Sequence, residues 1–401
     1  MTKISLKYIG PLVFLSIVFV FLVAFNLGTF LDIFHLRPTT PLAPSSQPIV
    51  NVPRSVRAKY APFELPKIDT TASQKEFAVF TQEIREIIRN HDFSKLEAKA
   101  VEYRESKARF IGGGWKLYSL SMLINSPLGG GVSDKAWESH LVLLADWKNK
   151  MPNSLTAHTA LADAHIEYSW YIRGDVYSRD VPQDAWAAVH DHLEKAAAIM
   201  DEAGHLGSRS PEYYKVLLNL ARDRYLDRTS QNKIYEEAIA YEPEYQYFYT
   251  TKAVNLMERW GGLPGEWEAF ADKVKADIGG KRGLQLYYRM VSEVLGHKDE
   301  YLDFKHRASW EDAREGFRLI NADYGVTRTQ LNDFAHLTQK ISDPEGMCPT
   351  FEQLKDEKNF DPDSWKDRES FEKNKKLAQQ LCELVTAQKA KPYDPNVKPI
   401  Y

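Results

Sequence analysis

Cysteine is scarce in this sequence. Only Cys348 and Cys382 occur among the 401 residues, which excludes both a multi-thiolate zinc site and a disulfide-dense scaffold. An excess of positive charge is missing as well, since 52 Lys and Arg stand against 55 Asp and Glu. A nucleic-acid binder needs a basic face, so no nucleic-acid partner is expected. Strand-like alternation bounded by hairpin turns is absent. So are the nucleophile-elbow, H-E-x-x-H, P-loop and dinucleotide-fold motifs. His158 and His165 share a helix face, but Asp163 falls on a different one, and His190 and His192 diverge. No metal and no cofactor is therefore expected.

What is present starts at the N-terminus. Tyr8 to Leu31 is an uncharged run of 24 residues, and about 20 apolar residues cross a bilayer as a helix. No small-residue cleavage pattern follows it, so residues 8–34 are expected to form an uncleaved membrane anchor behind a short cytoplasmic tail, residues 1–7. Lys3 and Lys7 precede the span while Asp32 and Arg37 follow it. The positive-inside rule then puts the body on the far side of the membrane. Residues 35–72 hold seven prolines and no helical period; they are expected to be an extended tether.

From about Ser73 the apolar period becomes helical. Phe77, Phe80, Ile84, Ile87 and Ile88 form one stripe; Trp267, Phe270, Ala271, Val274 and Ile278 form another. Leu284, Tyr287, Tyr288, Val291 and Leu295 make a third, and Leu331, Phe334, Ala335 and Ile341 a fourth. The expected fold class is all-α. Helix pairs in series, clearest between Pro211 and Pro243, suggest a degenerate tetratricopeptide-like helical repeat array over residues 73–343. Residues 344–401 read as a charged helical extension. Within it, Cys348 and Cys382 are either a disulfide closing a long loop or two buried thiols.

Three corners carry unusual residues. "ERWGGLPGEWEAF" is accounted for by capping and packing: Gly261 takes φ > 0 past a helix end, Gly262 adds freedom, Pro264 opens the next helix, and Trp260 and Trp267 pack. Its alternative is an anion cradle of glycine amides. The second corner is Gly112, Gly113, Gly114 and Trp115; the third is Trp170, Arg173 and Gly174. Tyr241, Tyr245, Phe248 and Tyr249 form an aromatic stripe that serves either inter-helix packing or a peptide-binding surface.

The order W-x-x-R-G, then "AW" and "LEKA", then W-G-G-x-P-G-E-W-E-x-F-A, resembles a bacterial family described only as a domain of unknown function, number four thousand and thirty-four, and regarded as tetratricopeptide-like. The resemblance spans roughly Leu141 to Val291, and Glu258-Arg259 stands where that family commonly has Pro-Arg. It implies a helical repeat fold and no known activity. The expectation is a single-pass protein of the bacterial inner membrane, its body periplasmic or extracytoplasmic, binding a protein or peptide partner in the cell envelope as a scaffold. The alternative is an enzyme acting on an envelope polymer such as peptidoglycan, with an acidic residue and Arg173 near the glycine corners.

Overall fold

Serine, threonine or aspartate stands just ahead of most of the helices, and this local chemistry sets where they begin. The side chains of Asp92, Ser133, Ser154, Ser210, Asp227, Ser309, Thr327 and Asp343 each accept a hydrogen bond from a backbone N–H of the following first turn. At Thr327 the cap is reciprocal, Gln330 bonding back to the Thr327 N–H. The computed structural model describes residues 60, 62–128, 133–174, 180–296, 308–341, 343–365 and 367–390. The expected tail, the anchor at 8–34 and the tether as far as residue 59 lie outside the described residues. Among the described residues, no helix is long and apolar enough to cross a membrane.

The chain is all-α. The helices are α1 (Thr71–Arg89), α2 (Phe93–Ser106), α3 (Lys116–Asn125), α4 (Asp134–Lys150), α5 (Leu155–Arg173), α6 (Gln183–Gly204), α7 (Pro211–Asp223) and α8 (Arg228–Tyr241). They continue with α9 (Gln246–Asn255), α10 (Glu266–Ile278), α11 (Gly280–Gly296), α12 (Trp310–Tyr324), α13 (Arg328–Lys340), α14 (Pro344–Gln353) and α15 (Arg368–Ala390). The one extended pairing among the described residues is an isolated bridge between Arg109 and Trp115. Consecutive helices pack as α1/α2, α5/α6, α7/α8, α9/α10, α11/α12 and α13/α14. Each odd-numbered helix from α1 to α11 also packs on the next odd-numbered one, as far as α13. Most stripe residues are buried, Phe77 being the exposed exception at 48%, and Ile84, Trp115, Leu120, Trp147, Phe248, Tyr287, Phe317 and Phe334 are enclosed in one continuous core.

The chain termini of this body depart from expectation. The end of the tether is not free. Ile68 is buried, its N–H donates to Gln353 Oε1 at 3.0 Å, and the Thr70 hydroxyl reaches Asn359 Oδ1 at 3.1 Å. The Phe63 ring lies 5.7 Å from that of Phe334. Apolar side chains inside a proline-rich stretch strap it down, because leaving them in water would forgo burial. Nor is the segment after Pro344 a mere charged extension. Met347, Phe351, Leu354, Trp365, Phe371 and Ala378 join the common core. The described residues, from 60 onward, cluster as one compact unit. Cys348 and Cys382 are bonded, with their Cα atoms 5.7 Å apart, so the disulfide ties α14 to α15.

Candidate functional site

The glycine corner between α2 and α3 is built by backbone conformation. Gly112 and Gly113 adopt φ of +86° and +75°, values open to glycine and strained for other residues. Phe110 N–H bonds to the Gly114 carbonyl at 2.8 Å, and Gly113 N–H to Phe110 at 2.9 Å, which closes the loop. The loop then touches chain far away. Gly112 N–H donates to the Tyr324 carbonyl at 3.0 Å, and its own carbonyl accepts from Arg289 at 2.9 Å and Gln330 at 3.0 Å. A Cβ at Gly113 would lie 2.7 Å from Arg289 Nη2 and 3.0 Å from the Tyr324 ring, and at φ +75° a side chain there is strained whatever the space. Trp115 is fully buried under the corner, its ring 5.0 Å from that of Tyr245.

Beside this corner lies a recess of about 310 Å³ walled by Arg109, Gln246, Arg282, Gln285, Arg289 and Tyr324. Arg109 stacks 4.6 Å from the Trp115 ring, donates to the Gly113 carbonyl at 3.3 Å, and stands 3.7 Å from Glu244. Arg282 donates to the Pro243 carbonyl. Burial pulls the pKa of Arg109 and of Arg289 below the ordinary arginine value; Tyr324 and Glu244 oppose it at Arg109 and Tyr247 at Arg289, and a neighbouring guanidinium adds a smaller lowering at each.

From that recess a line of polar side chains runs across the odd-numbered helices: Tyr118 on α3, Asp163 and Glu167 on α5, Glu212 and Lys215 on α7, Tyr247 on α9, Arg289 on α11. Tyr118 and Tyr247 stack with centroids 3.7 Å apart. Lys215 Nζ lies 3.3 Å from Asp163 Oδ2 and 5.3 Å from the Tyr118 ring centre. Asn125 donates to Asp163, and the Tyr245 hydroxyl donates to Glu212. Burial pushes Glu212 up to about 7, with Lys215 opposing and Asp163 adding to the rise. Burial and then Asp163 push Glu167 up to about 7. Burial alone would lower Lys215; Asp163 and Glu212 outweigh it and raise its pKa.

The other two corners meet each other. Trp170, in the last turn of α5, and Trp260, in the short turn Glu258–Trp260, are perpendicular with centroids 5.5 Å apart. Arg222 of α7 stands 5.5 Å from the first ring and 5.0 Å from the second, paired with Asp223 at 2.6 Å. Trp170 Nε1 donates to Asp223 at 3.0 Å. Arg173 lies over Trp170 and donates to the Gly174 carbonyl at 2.9 Å. Trp186 and His190 line the same crevice. Tyr225, which also lines it, is 69% exposed, and Leu263, three residues beyond Trp260 in the chain, is 70% exposed.

The segment "ERWGGLPGEWEAF" turns a corner, as capping chemistry requires, with two changes of detail. Gly261 takes φ +82°, and a Cβ on Gly262 would fall inside the Leu256 carbonyl group. Gly265 caps α10 at φ +81°, so Pro264 precedes the helix instead of sitting in its first turn. Gly261 N–H bonds to Glu258 and Gly262 N–H to Met257, at 3.0 and 3.1 Å. Those two amides are occupied by the turn and do not point to a ligand. Trp267 is a core residue. The aromatic stripe is likewise not a surface. Tyr241 ends α8 while Tyr245 precedes α9, because Pro243 lies in the turn between them. Tyr245, Phe248 and Tyr249 are buried; Tyr241 is 42% exposed. Among the described residues no group of three His, Cys, Asp or Glu side chains is placed to hold a metal ion.

Sequence reasoning passed over Arg109, Glu212, Lys215, Arg222, Arg282 and Arg289, and weighed Asp163 only as a metal ligand. The one local signal was an arginine three residues ahead of a glycine run. Comparison with family models, curated proteins and solved structures finds no match to this chain.

Proposed function

We propose that this chain is a membrane-anchored helical-repeat scaffold that recognises a protein or peptide partner in the cell envelope. The paired helices, each odd-numbered one stacked on the next, support reading the body as a degenerate tetratricopeptide-like array. The observation that carries the binding reading is the crevice where the tryptophan corners meet. Trp170, Trp186, Trp260, Arg173 and Arg222 gather there with exposed Tyr225, and exposed Leu263 follows Trp260 by three residues in the chain. Tryptophan, tyrosine and arginine are the residue types that carry most of the energy of protein–protein contacts, when ringed by groups that exclude water. The enzyme alternative has no such support. Stacking on Trp170 and bonding to the adjacent carbonyl make Arg173 a clamp on the end of α5.

A photoreactive residue placed at Leu263 in the full-length chain, expressed at its native level in intact cells, tests this. The expected outcome is one reproducible protein adduct, lost on Trp260→Ala and absent when the photoreactive residue stands at Val142, which is 70% exposed elsewhere. The same adducts from both positions, or none from Leu263, would refute the proposal.

A further inference from the structure

We propose that the recess walled by Arg109, Arg282 and Arg289 is a binding site for a small organic anion carrying two or more negative charges, a phosphate ester or a polycarboxylate. This site is separate from the tryptophan crevice, and the inference stands without any reading of that surface.

Charge balance is the starting point. Lys281 on the rim is neutralised by Asp323 at 2.7 Å, which Gln285 also bonds at 2.6 Å. Three guanidiniums are then left facing one carboxylate, Glu244, which approaches only Arg109 and at 3.7 Å. Among the described residues, Arg282 and Arg289 bond only backbone carbonyls, of Pro243 and Gly112. Two positive charges therefore converge on the recess with no carboxylate among the described residues bonded to them. Holding the Gly112 carbonyl needs one donor, and Gln330 already supplies a second at 3.0 Å. Fold maintenance does not call for three guanidiniums around open space.

Geometry suits an oxyanion. A guanidinium offers its five N–H groups in a planar fork that meets carboxylate and phosphate oxygens in pairs. The volume of about 310 Å³ equals that of roughly ten waters at their liquid packing, enough for a ligand of that many heavy atoms. The wall is rigid where it matters. Arg109 is held against Trp115, and the Gly112–Gly113 loop is fixed against Arg289 and Tyr324. Burial and the proximity of the guanidiniums to one another lower the pKa of Arg109 and Arg289. A bound dianion reverses that repulsion, so occupancy stabilises the fold by mass action.

Calorimetric titration of the full-length chain in neutral detergent, with inorganic phosphate and separately with citrate, tests the site. Saturable binding of one anion per chain is expected for at least one of the two, weakening as salt rises. Phosphate alone assigns a phosphate ester; citrate alone assigns a polycarboxylate; both assign a general oxyanion site. Arg282→Gln, at the solvent side of the recess, is expected to weaken binding by about tenfold or more without lowering the melting temperature of the anion-free chain. Lys273→Gln, on a lysine paired only with Asp277, should leave affinity unchanged. If neither anion saturates, or if Arg282→Gln binds as tightly as the parent, the inference is overturned.

Discussion

A carboxyl group at the centre of the polar line makes this fold pH-sensitive, and Glu212 is where the effect is calculable. Glu212 lies in the first turn of α7, where the helix dipole favours the ionised form. It is nevertheless only 5% exposed, and burial raises it from 4.5 to about 7. Ser121 on α3, Asp163 on α5, Lys215 on α7 and the Tyr245 hydroxyl surround it. The folded state therefore holds a proton that the unfolded chain releases. Stability is greatest below the unfolded value of 4.5 and falls as pH rises through about 7. One pKa unit is worth about 1.4 kcal/mol, so ionising this group in place costs about 3 kcal/mol above the window. Glu212→Gln fixes the neutral form and keeps an acceptor for Tyr245. At pH 8 the variant should gain about 1–3 kcal/mol, roughly 2–6 °C in melting temperature, while at pH 5 it should match the parent. Because Glu167 is also pushed up to about 7, the pH slope of the variant should fall by about half and not vanish. Thermal unfolding of both chains at the two pH values is the assay. A variant no more stable than the parent at pH 8, with an unchanged slope, would refute burial as the dominant influence on Glu212.

Two further outcomes follow from the corners and the cross-link. Gly113→Ala combines a positive φ with a contact 2.7 Å from Arg289 and should lose about 2–3 kcal/mol in urea unfolding, whereas Gly261→Ala, with open space around its Cβ, should lose only about 1 kcal/mol; equal losses would sink the steric argument. Replacing Cys348 and Cys382 together by serine releases a loop with a sequence separation of 34 and should cost about 3–4 kcal/mol, the parent falling to the same stability when reduced. Two free thiols counted in the denatured, unreduced chain would contradict it.

Local interactions were readable in the sequence by itself. Apolar spacing, side-chain caps and glycine stops act within a turn or two, so the all-α class, most of the stripes and the turn at Gly261 could be read without tertiary knowledge. Phe80, Ile84, Val274, Val291 and Leu331 are buried as their period demands. Periodicity misled where a turn has the same spacing as a helix: Tyr241 and Tyr245 are four apart but straddle the break at Pro243. Composition misled at Ile68 and Trp365, apolar residues in polar or proline-rich stretches that pack against distant helices. Only tertiary structure decided the rest. Arg289 bonds to Gly112 across 177 positions, and Trp170 meets Trp260 through Arg222 on a third helix. Such meetings depend on how successive helices stack, and the sum of many side-chain packings sets that angle, so no short window of sequence contains it.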